Sequence, residues 1–151
     1  MDTIDPLEPD ELAWRTLYGT MEFLNWLGAE LPNISHNALY SDLSPQEQVF
    51  AIFTEYASGE YLSSDRRFKK LNWTPDHCIW ELKTDEIRIF GWVPQKNNFI
   101  CCYGGDKSTI ETLSLYGRYI AQTVRVRQNI DLDEPKHLTS RRYCDVISDA
   151  D

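Results

Sequence analysis

Positive charge is almost missing from the first sixty residues, where Arg15 stands alone against eleven acids. The acidic start MDTIDPLEPDE carries no signal-peptide pattern. No apolar run approaches the ~18 residues of a membrane span. A cytoplasmic protein with no membrane contact is the expectation. Close cysteine pairs of the CxxC kind are also missing. Of Cys78, Cys101, Cys102 and Cys144, only Cys101 and Cys102 are adjacent, and neighbours on a strand point to opposite faces. That spacing argues against zinc, and the four thiols fit a reducing compartment. There is no Walker loop, no GxGxxG, no GxSxG and no HExxH. No metal and no cofactor is expected.

What is present is a chain of 151 residues, long enough for one domain with a real core. Five Trp and eight Tyr supply large side chains for a core or an interface. The net charge of -9 is unevenly spread. Residues 61–130 hold eleven bases against seven acids, and residues 131–151 hold six acids against three bases. A basic middle flanked by acidic segments is a solvated surface, or a basic site between acidic flanks.

Trp14, Leu17, Tyr18, Met21 and Leu24 share one helical face, which predicts a helix from Asp10 to Gly28. Ser44-Pro45-Gln46-Glu47 is a capping box with proline in the first turn, and it predicts a helix ending at Gly59. A shorter helix is expected from Ser64 to Leu71. Cys78–Lys83, Glu86–Val93 and Asn98–Tyr103 read as three strands joined by tight turns. Ser108 is expected to cap a long helix to about Val126. The fold class is therefore α+β: N-terminal helices, a three-stranded antiparallel meander and a long C-terminal helix. Residues 1–151 form a single domain, with an acidic helical extension (1–43), an α+β core (44–128) and an irregular acidic tail (129–151).

The segment from Ile79 to Trp92, IWELKTDEIRIFGW, places Arg88 among Ile87, Ile89 and Phe90. Trp80-Glu81-Leu82-Lys83, Ile87-Arg88-Ile89-Phe90 and the strand Phe99–Tyr103 followed by Gly104 and Lys107 resemble, in that order, the strand phrases of the RelE/HigB superfamily of toxin nucleases, in its phage-derived HigB-like branch. The resemblance spans about residues 44–128. It implies a metal-independent endoribonuclease acting on messenger RNA, commonly on the ribosome. Arg88 would then clamp the phosphate, with Lys83 and Lys107 beside it as catalytic cations. Arg66, Arg67, Lys69 and Lys70 would hold flanking RNA backbone by charge.

The chain departs from that pattern in being acidic overall and in carrying Lys83 where the family has arginine. A second reading of Arg88 stays open: it pairs with a carboxylate such as Glu81 across the hairpin. A second reading of the whole also stays open. On it the chain is a non-catalytic interaction protein that binds an antitoxin or another protein partner through its acidic, aromatic surface. Trp14, Trp26 and the first helix would offer a homodimer face.

Overall fold

Every residue from Ile87 to Trp92 is buried, and a strand can bury both its faces only when its sheet is covered on both sides. The structure, a computed structural model describing residues 1–39, 41–71 and 77–151, has that layering. Its strands are β1 (Asp2–Ile4), β2 (Thr16–Gly19), β3 (Phe68–Leu71), β4 (Ile79–Lys83), β5 (Ile87–Trp92) and β6 (Asn98–Asp106). They form one six-stranded sheet in the order β1-β2-β6-β5-β4-β3. β2 runs parallel to β6, and all other neighbours are antiparallel.

One face of the sheet packs on α1 (Met21–Asn25), the π-turn Trp26–Glu30 and α2 (Pro45–Ser58). Leu17, Trp80, Leu82, Ile89 and Phe99 meet Phe23, Phe53 and Tyr56 there. The other face packs on α3 (Lys107–Thr112) and α4 (Tyr116–Asn129). Ile79, Phe90, Trp92 and Ile100 meet Ile110 and Ile120 on that side. Cys101 belongs to the first core and Cys102 to the second, as strand alternation requires. Gly91 sits at an irregularity between β5 and β6. A Cβ there would lie 1.9 Å from the Ile100 carbonyl oxygen, so no larger residue fits.

Fold class α+β stands, but several elements differ from expectation. The expected sheet of three strands has six. The expected helix from Asp10 is replaced up to Gly19 by a strand, and α1 begins only at Met21 behind a Thr20 cap. Leu17 and Tyr18, which share a helical face on paper, go to opposite cores because pairing with β6 overrides local spacing. Residues 1–43 therefore contribute two strands and are not a helical extension. The expected helix at Ser64–Leu71 gives way to β3, held by a stack of Phe68 on Trp80 with centroids 4.7 Å apart. The expected long helix after Ser108 is two helices. Ser114 breaks it with φ +53°, and the cap is Asp106, whose side chain accepts from the Thr109 N–H. The tail carries only the one-turn α5 (Tyr143–Val146). Trp14 lies outside any helix, while Trp26 packs against Gly104, so the two do not form one dimer face. The Ser44 capping box, Pro45 in the first turn and the Gly59 stop are all as read from the residues.

The isolated base of the N-terminal sixty, Arg15, is 1% exposed. Its Nε donates to the Ser148 carbonyl at 2.9 Å, and its Nη1 donates to the Tyr56 and Glu60 carbonyls at 3.1 and 2.9 Å. Nη2 donates to Asp149 Oδ1 at 2.7 Å. Burial lowers the Arg15 pKa, against the opposing pull of Tyr56 and Asp149. One guanidinium thus ties the end of α2 to the tail and to the entry of β2. Gly59, at φ +85°, lies at the same junction, where a Cβ would stand 2.6 Å from that of Ala150. Arg15→Ala should remove a donor from three carbonyls and a carboxylate, of which the Ser148 and Tyr56 carbonyls keep Trp14 Nε1 and the Gly59 N–H. It should cost about 3 kcal/mol in urea denaturation, with early loss of amide protection at Ala150, whose N–H donates to the Gly59 carbonyl.

Candidate anion-binding site

The register of β3, β4 and β5 sets Lys69 opposite Glu81 and Lys83 opposite Arg88. All four lie on the α4 side of the sheet, the side of Phe90 and Trp92. With Tyr116 and Ile120 of α4 they line a cavity of about 360 Å³. No described residue of the acidic 1–43 segment lines it; β1 and β2 lie at the far edge of the sheet from β3.

Arg88 is 5% exposed. Its Nη1 donates to the carbonyls of Thr84 and Ile87, the two ends of the β4–β5 turn, which places part of the guanidinium inside its own hairpin. Its Nε has no hydrogen-bond partner among the described residues. No carboxylate of the described residues lies within 4.0 Å of it. The ion pair with Glu81 read as an alternative from the strand pattern is therefore not a direct contact.

Glu81 is 1% exposed, and its Oε2 also lacks a partner. Burial raises its pKa above the ordinary glutamate value, although Arg88, Lys83, Lys69 and the Tyr116 hydroxyl all pull it down. Lys83 is shifted the other way: burial and the repulsion of Arg88 lower its pKa, with Glu81 opposing. Its ammonium donates to the Asp65 carbonyl at 3.2 Å. Tyr116 is raised by burial and by Glu81, with Arg88 opposing. A carboxylate and a lysine driven towards one another in pKa, beside a guanidinium, are suited to passing protons while cations hold an anion.

Of the seven cations singled out in the sequence, four border this cavity: Arg88, Lys83, Lys69 and, with its ammonium directed elsewhere, Lys70. Lys107 opens α3 and lines a neighbouring cavity of about 510 Å³ with Asp85, Glu86 and Asp106. Arg67 reaches Asp85 at 3.5 Å and the Lys83 carbonyl at 3.3 Å, and it lines a cleft beside α2. The Lys70 ammonium stands 4.6 Å from the centroid of the Tyr143 ring, which belongs to the opposite core. Arg66 is exposed. Glu81 was legible only as a partner for Arg88, and Tyr116 as a tyrosine able to move a proton or, more readily, to fill the core. Alternation along Glu81-Leu82-Lys83 would have put the acid and the lysine on one face; nothing local indicates that α4 brings Tyr116 over them.

Comparison with family models, with curated proteins and with solved structures gives no match in any of the three.

Because folding raises the Glu81 pKa above 4.5, the native state holds its proton at pH values where the unfolded chain has lost it. Stability must then fall as pH rises from that ordinary value through the folded one, and level off above it. Urea denaturation across pH 4 to 8 should show this component in the wild type and not in Glu81→Gln.

Proposed function

We propose that the chain is a RelE/HigB-like, metal-independent endoribonuclease of the cytoplasm, acting on messenger RNA through the Glu81 pocket. The observation that supports this reading is a buried carboxylate set among Lys69, Lys83 and Arg88 without a direct ion pair. Buried polar atoms are ordinarily satisfied; Glu81 Oε2 and Arg88 Nε are two that are buried without a partner.

In this reading a phosphodiester sits against Arg88, Lys83 and Lys69, which take up the charge on the non-bridging oxygens. Glu81 removes the proton of the ribose 2′-OH as that oxygen bonds to phosphorus. The bond to the 5′-oxygen breaks, and Lys83 supplies that oxygen with a proton. The products are a 2′,3′-cyclic phosphate and a 5′-hydroxyl end. The conserved mass and charge of this step need no outside reactant. Arg66, exposed near the β3 edge, keeps its role on flanking backbone, and Lys70 keeps a weaker one from across the sheet. Lys107 contributes charge from a distance and does not touch the scissile group.

A second reading has its own support. Leu39, Phe50 and Tyr61 are 92%, 61% and 72% exposed, in the acid-rich part of the chain. An interaction protein would use them, with an antitoxin or another basic protein as the partner.

The test is cleavage of an end-labelled single-stranded RNA in excess EDTA. The wild type should give 2′,3′-cyclic ends. Glu81→Gln and Lys83→Ala should each lose about 10²–10⁴-fold in rate. Arg88→Ala should lose activity and also stability, because Nη1 braces the turn. Folded wild type that leaves RNA intact, or Glu81→Gln as active as wild type, sinks the nuclease and leaves the interaction protein.

A further inference from the structure

We infer that the Glu81 pocket takes up a phosphoryl or similar oxyanion together with one proton, and that the proton goes to Glu81. This rests on reading the pocket as an anion site, though not on RNA being the substrate.

The groups that face Glu81 come from every element around it. Lys69 comes from β3, Lys83 from β4, Arg88 from β5, Tyr116 from α4 and Glu111 from α3. Glu111 is exposed at the rim. Lys70 of β3 also borders the pocket, with its ammonium over the Tyr143 ring, so the interior holds three inward cations, one phenol and one carboxylate. An anion held by the cations must lie beside that carboxylate, because all four line the same walls. Like charges in a shared site cannot both be kept, and the group able to neutralise itself takes a proton. Glu81 is that group. Its Oε2 has no hydrogen-bond partner among the described residues, so no other donor occupies that oxygen in place of a proton. The exchange replaces a repulsion with a hydrogen bond.

Linkage makes the effect reciprocal: the anion strengthens the hold of Glu81 on its proton, and the proton strengthens the hold of the pocket on the anion. Burial has already started Glu81 in that direction. For a 2′-OH substrate the consequence is a pH limit. Only the bound fraction whose Glu81 is ionised can accept the 2′-OH proton, so cleavage should rise with pH while binding weakens.

Sulfate is a suitable probe, since it does not titrate in the range of interest. Isothermal calorimetry at several pH values, in buffers of different ionisation enthalpy, gives both affinity and protons taken up. Wild-type affinity for sulfate should rise by up to tenfold per unit fall in pH, with up to one proton absorbed per ion over the same pH range. Glu81→Gln should still bind sulfate, with no proton uptake and a flat pH dependence. Lys69→Ala should bind more weakly with proton uptake retained. Binding without proton uptake, or uptake that survives in Glu81→Gln, overturns the inference. Absence of sulfate binding to folded wild type overturns it along with the phosphoryl reading of the pocket. Proton-coupled binding by a protein that leaves RNA intact supports the inference and removes only the nuclease.

Discussion

The buried guanidinium of Arg15 is the constraint on which the rest of the architecture depends. It donates to three carbonyls and one carboxylate drawn from α2, the segment just past it and the tail. A cation so placed is tolerable only if every donor is engaged, and here each nitrogen is. The geometry then dictates where β2 can begin, since the next residue, Thr16, starts the strand. β2 in turn covers the edge of β6, and β6 carries the sheet. The scarcity of base in this acidic stretch has a physical sense: the single cation is used internally, and the acids are left to water.

A second cation, Arg88, is handled differently. Its Nη1 goes into closing the hairpin turn at Thr84 and Ile87. The remainder faces a pocket that also contains Glu81, a carboxylate held near it without touching it. The turn brace fixes the position of the guanidinium without neutralising it. Pre-organisation of this kind keeps a charge available in a site that water reaches poorly. The same side chain thereby serves the hairpin and the cavity, which is why its removal has two consequences.

How much of this was legible in the residues varied with how local the determinant was. The α2 cap and stop were readable because Ser44, Pro45, Glu47 and Gly59 act within a few residues of one another. The strands around Arg88 were readable from their turns. β2 and β3 were not, because both are short and are defined by partners far along the chain: β6 for one, β4 for the other. Their residues also satisfy a helical pattern, so spacing alone chose wrongly. The break at Ser114 carries no glycine or proline to announce it. At the site, the cations were visible as a charge imbalance, but only register sorted those that converge from those spent on Asp85 or on the Tyr143 ring.

The parallel pairing of Thr16–Gly19 with Asn98–Cys101 bears on the order of assembly. β4, β5 and β6 close over short loops, whereas β2 must be recruited across about eighty intervening residues, a slow step by its loop entropy. Until it docks, β6 is an uncovered edge that presents Phe99, Ile100, Cys101 and Cys102. An apolar edge of that kind pairs readily with a second chain. The acidic flank carried in with β2 therefore has a role during folding: it brings like charge to the edge most prone to association, and it seals that edge when it arrives.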